Sequence, residues 1–182
     1  MSGRFTLVAG GAASGKSEFA ERLILESGPL PRCYIATMEI FDEECRARVA
    51  RHRAMRATKG FSTVECPVDL PGAPVPPGGA VLLECMTNLA ANELFGPNGA
   101  GSPGAAEASI LAGVEKILSA SARLVIVTGE VFSGGNRYAG DTDTYLRLLA
   151  RVNRALAARA NEVCEVVCGL PVWYKRESEG SV

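Results

Sequence analysis

Apolar positions along the chain follow two rhythms. Short apolar runs stand at 5–9 (FTLVA), 32–36 (RCYIA), 80–85 (AVLLEC) and 123–131 (RLVIVTGEV). Runs of that length, with little polar alternation, predict strands buried on both faces. Between them the apolar residues recur at helical spacing. Within 17–27, Phe19, Ala20, Leu23 and Ile24 share a face, and within 142–160 so do Tyr145, Leu149, Val152 and Leu156. Further helices are predicted at 42–57, where acids open the first turn and arginines lie towards the end, at 87–95 and at 107–122. The stretch 162–175 (EVCEVVCGLPVWYK) closes as one or two more strands.

The breaks between these elements are marked by glycine and proline. Gly28-Pro29-Leu30-Pro31 stops the first helix. The proline-rich 66–79 is irregular, 96–106 (GPNGAGSPGAA) is the most flexible stretch by composition, and 132–141 (FSGGNRYAGD) is a second glycine-rich loop. Strands alternating with helices predict an α/β fold, with a mostly parallel sheet covered on both faces and right-handed crossovers. There is no internal repeat, and the whole of 1–182 reads as one domain.

Composition narrows the function. The chain has 182 residues, is 47% hydrophobic and carries a formal net charge of −1. That suits one domain with a sizeable core and gives no support for a nucleic-acid partner. No apolar stretch approaches the roughly 20 residues of a membrane span. The start, MSGRFTLVAG, lacks a signal-peptide layout, so a cytoplasmic protein is expected. Six cysteines include no C-x-x-C pair, and His52 is the only histidine. A structural zinc is therefore not expected. Reduced thiols such as Cys33, Cys85 and Cys164, set in apolar runs, behave as small hydrophobes.

The chemistry begins at 10–17. Gly10, Gly11, Ala12, Ala13, Ser14, Gly15, Lys16 and Ser17 match G-x-x-x-x-G-K-[ST] without a gap, after a predicted strand and before a predicted helix. Such a loop turns successive N–H groups towards anionic oxygens, and the helix N-terminus adds partial positive charge. Lys16 supplies a point charge for β- and γ-phosphates, and Ser17 a hydroxyl for Mg²⁺. The loop therefore reads as a nucleoside triphosphate site, and the fold class becomes a P-loop NTPase-type three-layer α/β/α. A second magnesium anchor is expected from an acid at a strand end. Glu84 and Glu130 both qualify, and Glu84 is preferred. The base-reading signature N-K-x-D of regulatory GTPases is absent.

On the arginine-rich helix, Arg48, His52 and Arg56 are spaced to share a face. Two guanidiniums beside an imidazole favour its neutral, nucleophilic form, and they can clamp phosphate oxygens. Such a group can carry a phosphorus adduct. A solvated histidine on a charged helix, in a plain small-molecule kinase or a nucleotide-dependent switch, has the same local sequence.

Several motifs together are more specific: GGAASGKSEFAE, CYIATMEIFDEECRARVARHR, VLLECMTNLAANELF, VTGEVF, RVNRALAARANEV and VVCGLPVWYK. Over nearly its whole length the chain resembles the bifunctional adenosylcobinamide kinase/adenosylcobinamide-phosphate guanylyltransferases of cobalamin biosynthesis. The resemblance implies two reactions. ATP or GTP first phosphorylates adenosylcobinamide; GTP then donates GMP to adenosylcobinamide phosphate through a guanylylated histidine, here His52. It implies that 10–17 holds the triphosphate and that Ile35, Ala36 and Thr37 line the nucleotide site. Arg53, Ala54, Met55 and Arg56 would contact guanylate, with Glu65 and Glu84 near the nucleotide and Mg²⁺ on Ser17 and Glu84. A symmetric homo-oligomer is also implied. Two departures stand out: Ala57 follows Arg56 where the family often has proline, and FSGGNRYAGDTDTY replaces a G-x-G-I-V-P segment.

Overall fold

The computed structural model describes residues 3–40, 42–129 and 140–176. In chain order the elements are β1 (Arg4–Gly10), α1 (Lys16–Leu25), β2 (Arg32–Ala36), α2 (Glu43–Ala57), β3 (Phe61–Glu65), a 3₁₀ turn (Leu70–Gly72), β4 (Ala80–Glu84), α3 (Met86–Phe95), α4 (Pro103–Ala120), β5 (Arg123–Gly129), α5 (Asp141–Arg159), β6 (Glu162–Val167) and β7 (Leu170–Lys175). The strands form one sheet in the order β3-β2-β4-β5-β1-β6-β7. Every neighbouring pair is parallel except β6–β7. The predicted mostly parallel sheet and α/β/α layering are therefore present. Among the described residues no helix is long and apolar enough to cross a membrane.

Strand alternation divides the core. On one face Leu124 and Ile126 of β5 join Val81 and Leu83 of β4, and α3, α4 and α5 cover them with Leu89, Ile110, Ile117, Leu148, Leu149 and Val152. On the other face Val125, Val127 and Leu82 meet Phe19, Ala20 and Ile24 of α1. Each such fully buried Leu, Ile or Val contributes about 1.5–3 kcal/mol. Because the central strands are buried on both sides, their sequence reads as continuous apolar runs.

Three features differ from the sequence pattern. β3 was not anticipated. It lies at the sheet edge, paired to β2 alone, with only Phe61 buried, so FSTVE lacks the apolar run that marked the central strands. Secondly, α4 begins at Pro103, before the expected 107: Ser102 caps it, its hydroxyl accepting from the Ala105 N–H at 3.4 Å, and Pro103 suits the first helical position. Thirdly, the stretch expected to be most flexible is tied down by the buried carboxylate of Glu93. It accepts from the N–H groups of Ala100 at 3.0 Å and Asp69 at 2.8 Å and from the Ser109 hydroxyl at 3.2 Å. The closing segment forms two strands, joined by Cys168 and Gly169 at φ 50 and 80, the left-handed pair a tight hairpin turn requires. Val131 and most of the glycine-rich loop 132–141 lie outside the described residues.

The parallel register aligns the strand C-termini: Gly10 with Gly129, Glu84 with Ala36 and Val127, and Ala36 with Glu65. At the opposite end of the sheet Glu162, only 4% exposed, ties three strands together. It accepts from Arg4 Nη2 at 2.7 Å, from the Thr6 hydroxyl at 2.6 Å and from Arg123 at 3.3 Å. Burial raises its pKa, but Thr6, Arg4 and Arg123 outweigh that and hold the carboxyl below its usual range. A depressed folded-state pKa means this stabilisation is present above the ordinary glutamate value and is lost as pH falls through the folded value. Glu162→Gln is therefore expected to cost about 3 kcal/mol at pH 7, read as a lower urea midpoint. The gap to the parent should close as the pH drops below the glutamate range; equal midpoints at pH 7 would contradict the role given to this network.

Candidate active site

The loop from Gly10 to α1 is shaped by backbone conformations that few side chains tolerate. Gly15 adopts φ 89 at the N-cap of α1, and Ala13 lies at φ 55. A Cβ on Gly10 would stand 2.5 Å from Ser14 Oγ and 2.9 Å from the Val166 carbonyl, so a side chain there would push the loop off β6. The β6–β7 turn packs against it, Gly169 N–H donating to the Ser14 carbonyl at 2.8 Å. Gly15, the N-cap of α1, has no side chain to cap it. The first-turn amides, which have no partner within a helix, are thus left to an incoming anion. Ser14 Oγ is buried without a hydrogen-bond partner among the described residues. Lys16 Nζ folds back to donate to the Gly11 carbonyl at 2.9 Å. These features fit a triphosphate.

An acid lies beside this loop. Glu84, at the end of β4, accepts from the Ser17 hydroxyl on one oxygen and from the Tyr34 hydroxyl on the other, the latter at 2.8 Å. Burial first, then the adjacent Glu84 carboxylate, push the Tyr34 phenol far above its ordinary pKa, so it stays protonated as the donor. The Arg56 guanidinium lies 3.7 Å from the centroid of the Tyr34 ring, and Phe61 meets that ring edge-on at 6.3 Å. A hydroxyl and a carboxylate side by side suit a hard cation that takes its other ligands from water and phosphate. Ser17 and Glu84 therefore fit Mg²⁺. Among the described residues no group of three or more His, Cys, Asp or Glu could hold a metal.

Two cavities meet at these groups. One, of about 270 Å³, is bordered by Ser17, Glu84, Tyr34, His52, Arg56 and Lys59. The other, of about 180 Å³, shares His52, Arg56, Tyr34 and Glu84 and adds Ala36 and Glu65. The histidine on α2 and the P-loop hydroxyl thus face a common space, although they are far apart in the chain.

The remaining expected residues divide. Ile35 is fully buried on the α3–α4–α5 face, because alternation along β2 turns it away from the cavities and turns Tyr34 towards them. Thr37 is also fully buried. It links β2 to β4 by donating to the Cys85 carbonyl at 2.9 Å and accepting from the Cys85 N–H at 2.7 Å. Met55 borders the larger cavity, whereas Arg53 and Ala54 border a separate outer groove, with Arg53 paired to Glu65. The side chain of Arg48 and all of Glu130 lie outside the described residues. Sequence reasoning passed over Tyr34, Lys59 and Glu21, which pairs with Lys59. A single aromatic residue in the short buried run RCYIA was the available signal.

Comparison with known proteins identifies a family. The family model described as cobinamide kinase / cobinamide phosphate guanyltransferase matches residues 6–173. The bifunctional adenosylcobalamin biosynthesis protein CobU of Escherichia coli K12 is 39% identical, covering 93% of this chain and 98% of that protein. CobU of Salmonella typhimurium is 38% identical, with the same coverage. CobP of Pseudomonas aeruginosa is 33% identical, covering 94% and 97%. Among solved structures, PH0250 of Pyrococcus horikoshii OT3 has TM-score 0.53 at 10% identity, covering 98% of this chain and 89% of that one. The flagellar accessory protein FlaH of Methanocaldococcus jannaschii has TM-score 0.50 at 10% identity, covering 97% and 80%. These two likenesses concern the fold alone. With a matching family model over most of its length and relatives similar from end to end, the chain belongs to the cobinamide kinase / cobinamide phosphate guanyltransferase family.

Proposed function

We propose that this chain phosphorylates adenosylcobinamide at the hydroxyl of its aminopropanol arm, then converts the phosphate to adenosylcobinamide-GDP, using the P-loop for the triphosphate and His52 as the guanylyl carrier. The observation that carries the assignment is the cavity of about 270 Å³ bordered by both Ser17 and His52. A nucleophile facing the P-loop cavity is not needed by a simple kinase.

In the first reaction, with ATP or GTP as donor, the open amides of α1 and the ammonium of Lys16 surround the phosphate chain. They stabilise charge on the transferring group, and catalysis is chiefly positioning and electrostatics. Lys16 exchanges its bond to the Gly11 carbonyl for phosphate oxygens. Ser17 and Glu84 would hold Mg²⁺, which when bound supplies charge neutralisation between the phosphates. In the second reaction a nitrogen of His52 attacks the α-phosphorus of GTP, a P–N bond forms, and the bond to the bridging oxygen breaks to release pyrophosphate. A phosphate oxygen of the corrinoid then attacks the same phosphorus, the P–N bond breaks, and the histidine is regenerated. Arg56 and Lys59, bordering the cavity, offer positive charge to the phosphorus oxygens.

Two variants test the division of labour. His52→Ala should take up no acid-labile label from α-labelled GTP and form no adenosylcobinamide-GDP, while still phosphorylating adenosylcobinamide. Label retained in that variant would refute the carrier assignment. Lys16→Ala should slow phosphorylation roughly 10²–10³-fold, measured as corrinoid phosphate by mass spectrometry; a parental rate would mean the loop holds something other than the phosphate donor.

A further inference from the structure

Tyr34 belongs to neither group of residues used above, yet it touches both. Its side chain is 8% exposed. The hydroxyl donates to Glu84 at 2.8 Å, and the ring carries the Arg56 guanidinium at 3.7 Å on its face. Phe61, edge-on at 87°, fixes the ring from the side.

Consider first the acid. A glutamate at a strand end has several accessible rotamers, and holding it in one costs side-chain entropy. Ser17 contacts one oxygen of Glu84, but the Ser17 hydroxyl is the group expected to turn towards a cation. The tyrosine, set in a buried strand, cannot follow. Its bond to the second oxygen is the one that keeps the carboxylate plane aligned while the first is in use.

Consider next the helix. Among the side chains of α2 that are described, Arg56 is the one buried residue, and most of the others are exposed. Its Nε has no hydrogen-bond partner among the described residues. The aromatic face is thus a principal seat for the guanidinium, through stacking and cation–π attraction. His52 lies four residues earlier on the same helix face. The seat of Arg56 therefore sets how α2 presents His52 to the cavity.

We infer that Tyr34 is a positioning residue for both reactions: its hydroxyl orients Glu84 towards the nucleotide-bound cation, and its ring seats α2 through Arg56 so that His52 faces the same cavity. The first half rests on the reading of Ser17 and Glu84 as the cation's ligands.

The test uses the full chain and four variants, with thermal midpoints recorded for each. Mn²⁺ is titrated by electron paramagnetic resonance in the presence of a non-hydrolysable GTP analogue, and His52 labelling by α-labelled GTP is timed at saturating Mg²⁺. Tyr34→Phe keeps the ring and should weaken Mn²⁺ binding about tenfold. Glu84→Gln should weaken it at least as much, and combining the two should add nothing further. Tyr34→Leu should label about tenfold more slowly than Tyr34→Phe. Arg56→Lys, which keeps charge but loses planar stacking, should be slowed like Tyr34→Leu, and it reads the ring's role even if Tyr34→Leu fails to fold. Parental Mn²⁺ affinity in Tyr34→Phe alongside a weakened Glu84→Gln would overturn the hydroxyl's role alone. Parental affinity in Glu84→Gln would overturn the cation reading beneath it. Labelling by Arg56→Lys at the parental rate would overturn the ring's role.

Discussion

The carboxylate of Glu84 is the point on which the arrangement turns. It ends β4, one strand from β2 and two from β1 by way of β5, and each of its oxygens receives a hydroxyl from a different element, Ser17 of α1 and Tyr34 of β2. A sheet covered on both faces has no room for polar chemistry along its strands. Charged groups collect where the strands stop, beside the N-terminus of the following helix. The register decides which groups those are. By aligning Glu84 with Ala36 on one side and Val127 on the other, it brings a P-loop hydroxyl, a strand tyrosine and the histidine helix around one acid.

The other charges of the site are held in ways a triphosphate can undo. Lys16 rests on a loop carbonyl and Lys59 on Glu21. The Lys59–Glu21 pair is partly exposed, and such ion pairs are worth about 0–1 kcal/mol, so exchanging an acid for a phosphate oxygen costs little. Arg56 differs. Buried and resting on an aromatic face, it already stands in the cavity wall with its charge uncommitted at Nε. The cationic wall is thus partly poised and partly exchangeable, as expected of a site that must admit and release a highly charged ligand.

How much of this could be read from the chain depends on how local each cause is. The P-loop was legible because glycine spacing, lysine and serine are contiguous, and the buried strands because β1, β2, β4 and β5 are apolar on both sides. β3 was not, since an edge strand buries one residue and shows alternation too brief to separate from a loop. The start of α4 was misjudged because glycine, serine and proline between 96 and 106 read as flexible, while the group that orders them, Glu93, acts from the preceding helix. Tyr34 was hidden for the same reason: its partner Glu84 is brought to it by strand pairing. Ile35 shows the converse, a residue inside a nucleotide-lining motif whose side chain, by strand alternation, faces the opposite core.

The histidine helix poses the last physical question. In the proposed transfer the carrier takes guanylate from GTP and must then present that same phosphorus to a phosphate oxygen of the corrinoid, so the adduct faces two partners in turn. A helix locked into the core by an apolar stripe would hold that adduct towards one of them. α2 shows no such stripe among its described side chains. Its described side chains are largely exposed, Val49 is half-buried, and the buried one is an arginine seated on a ring. Elements with few buried apolar contacts occupy the low-stability end of a fold. A guanidinium over a flat aromatic face has a broad minimum compared with a side chain packed into a hole. The same contact that orients His52 therefore leaves it room to shift between partners, and this is a physical reason for a helix proposed to carry covalent chemistry to be anchored by stacking rather than by packing.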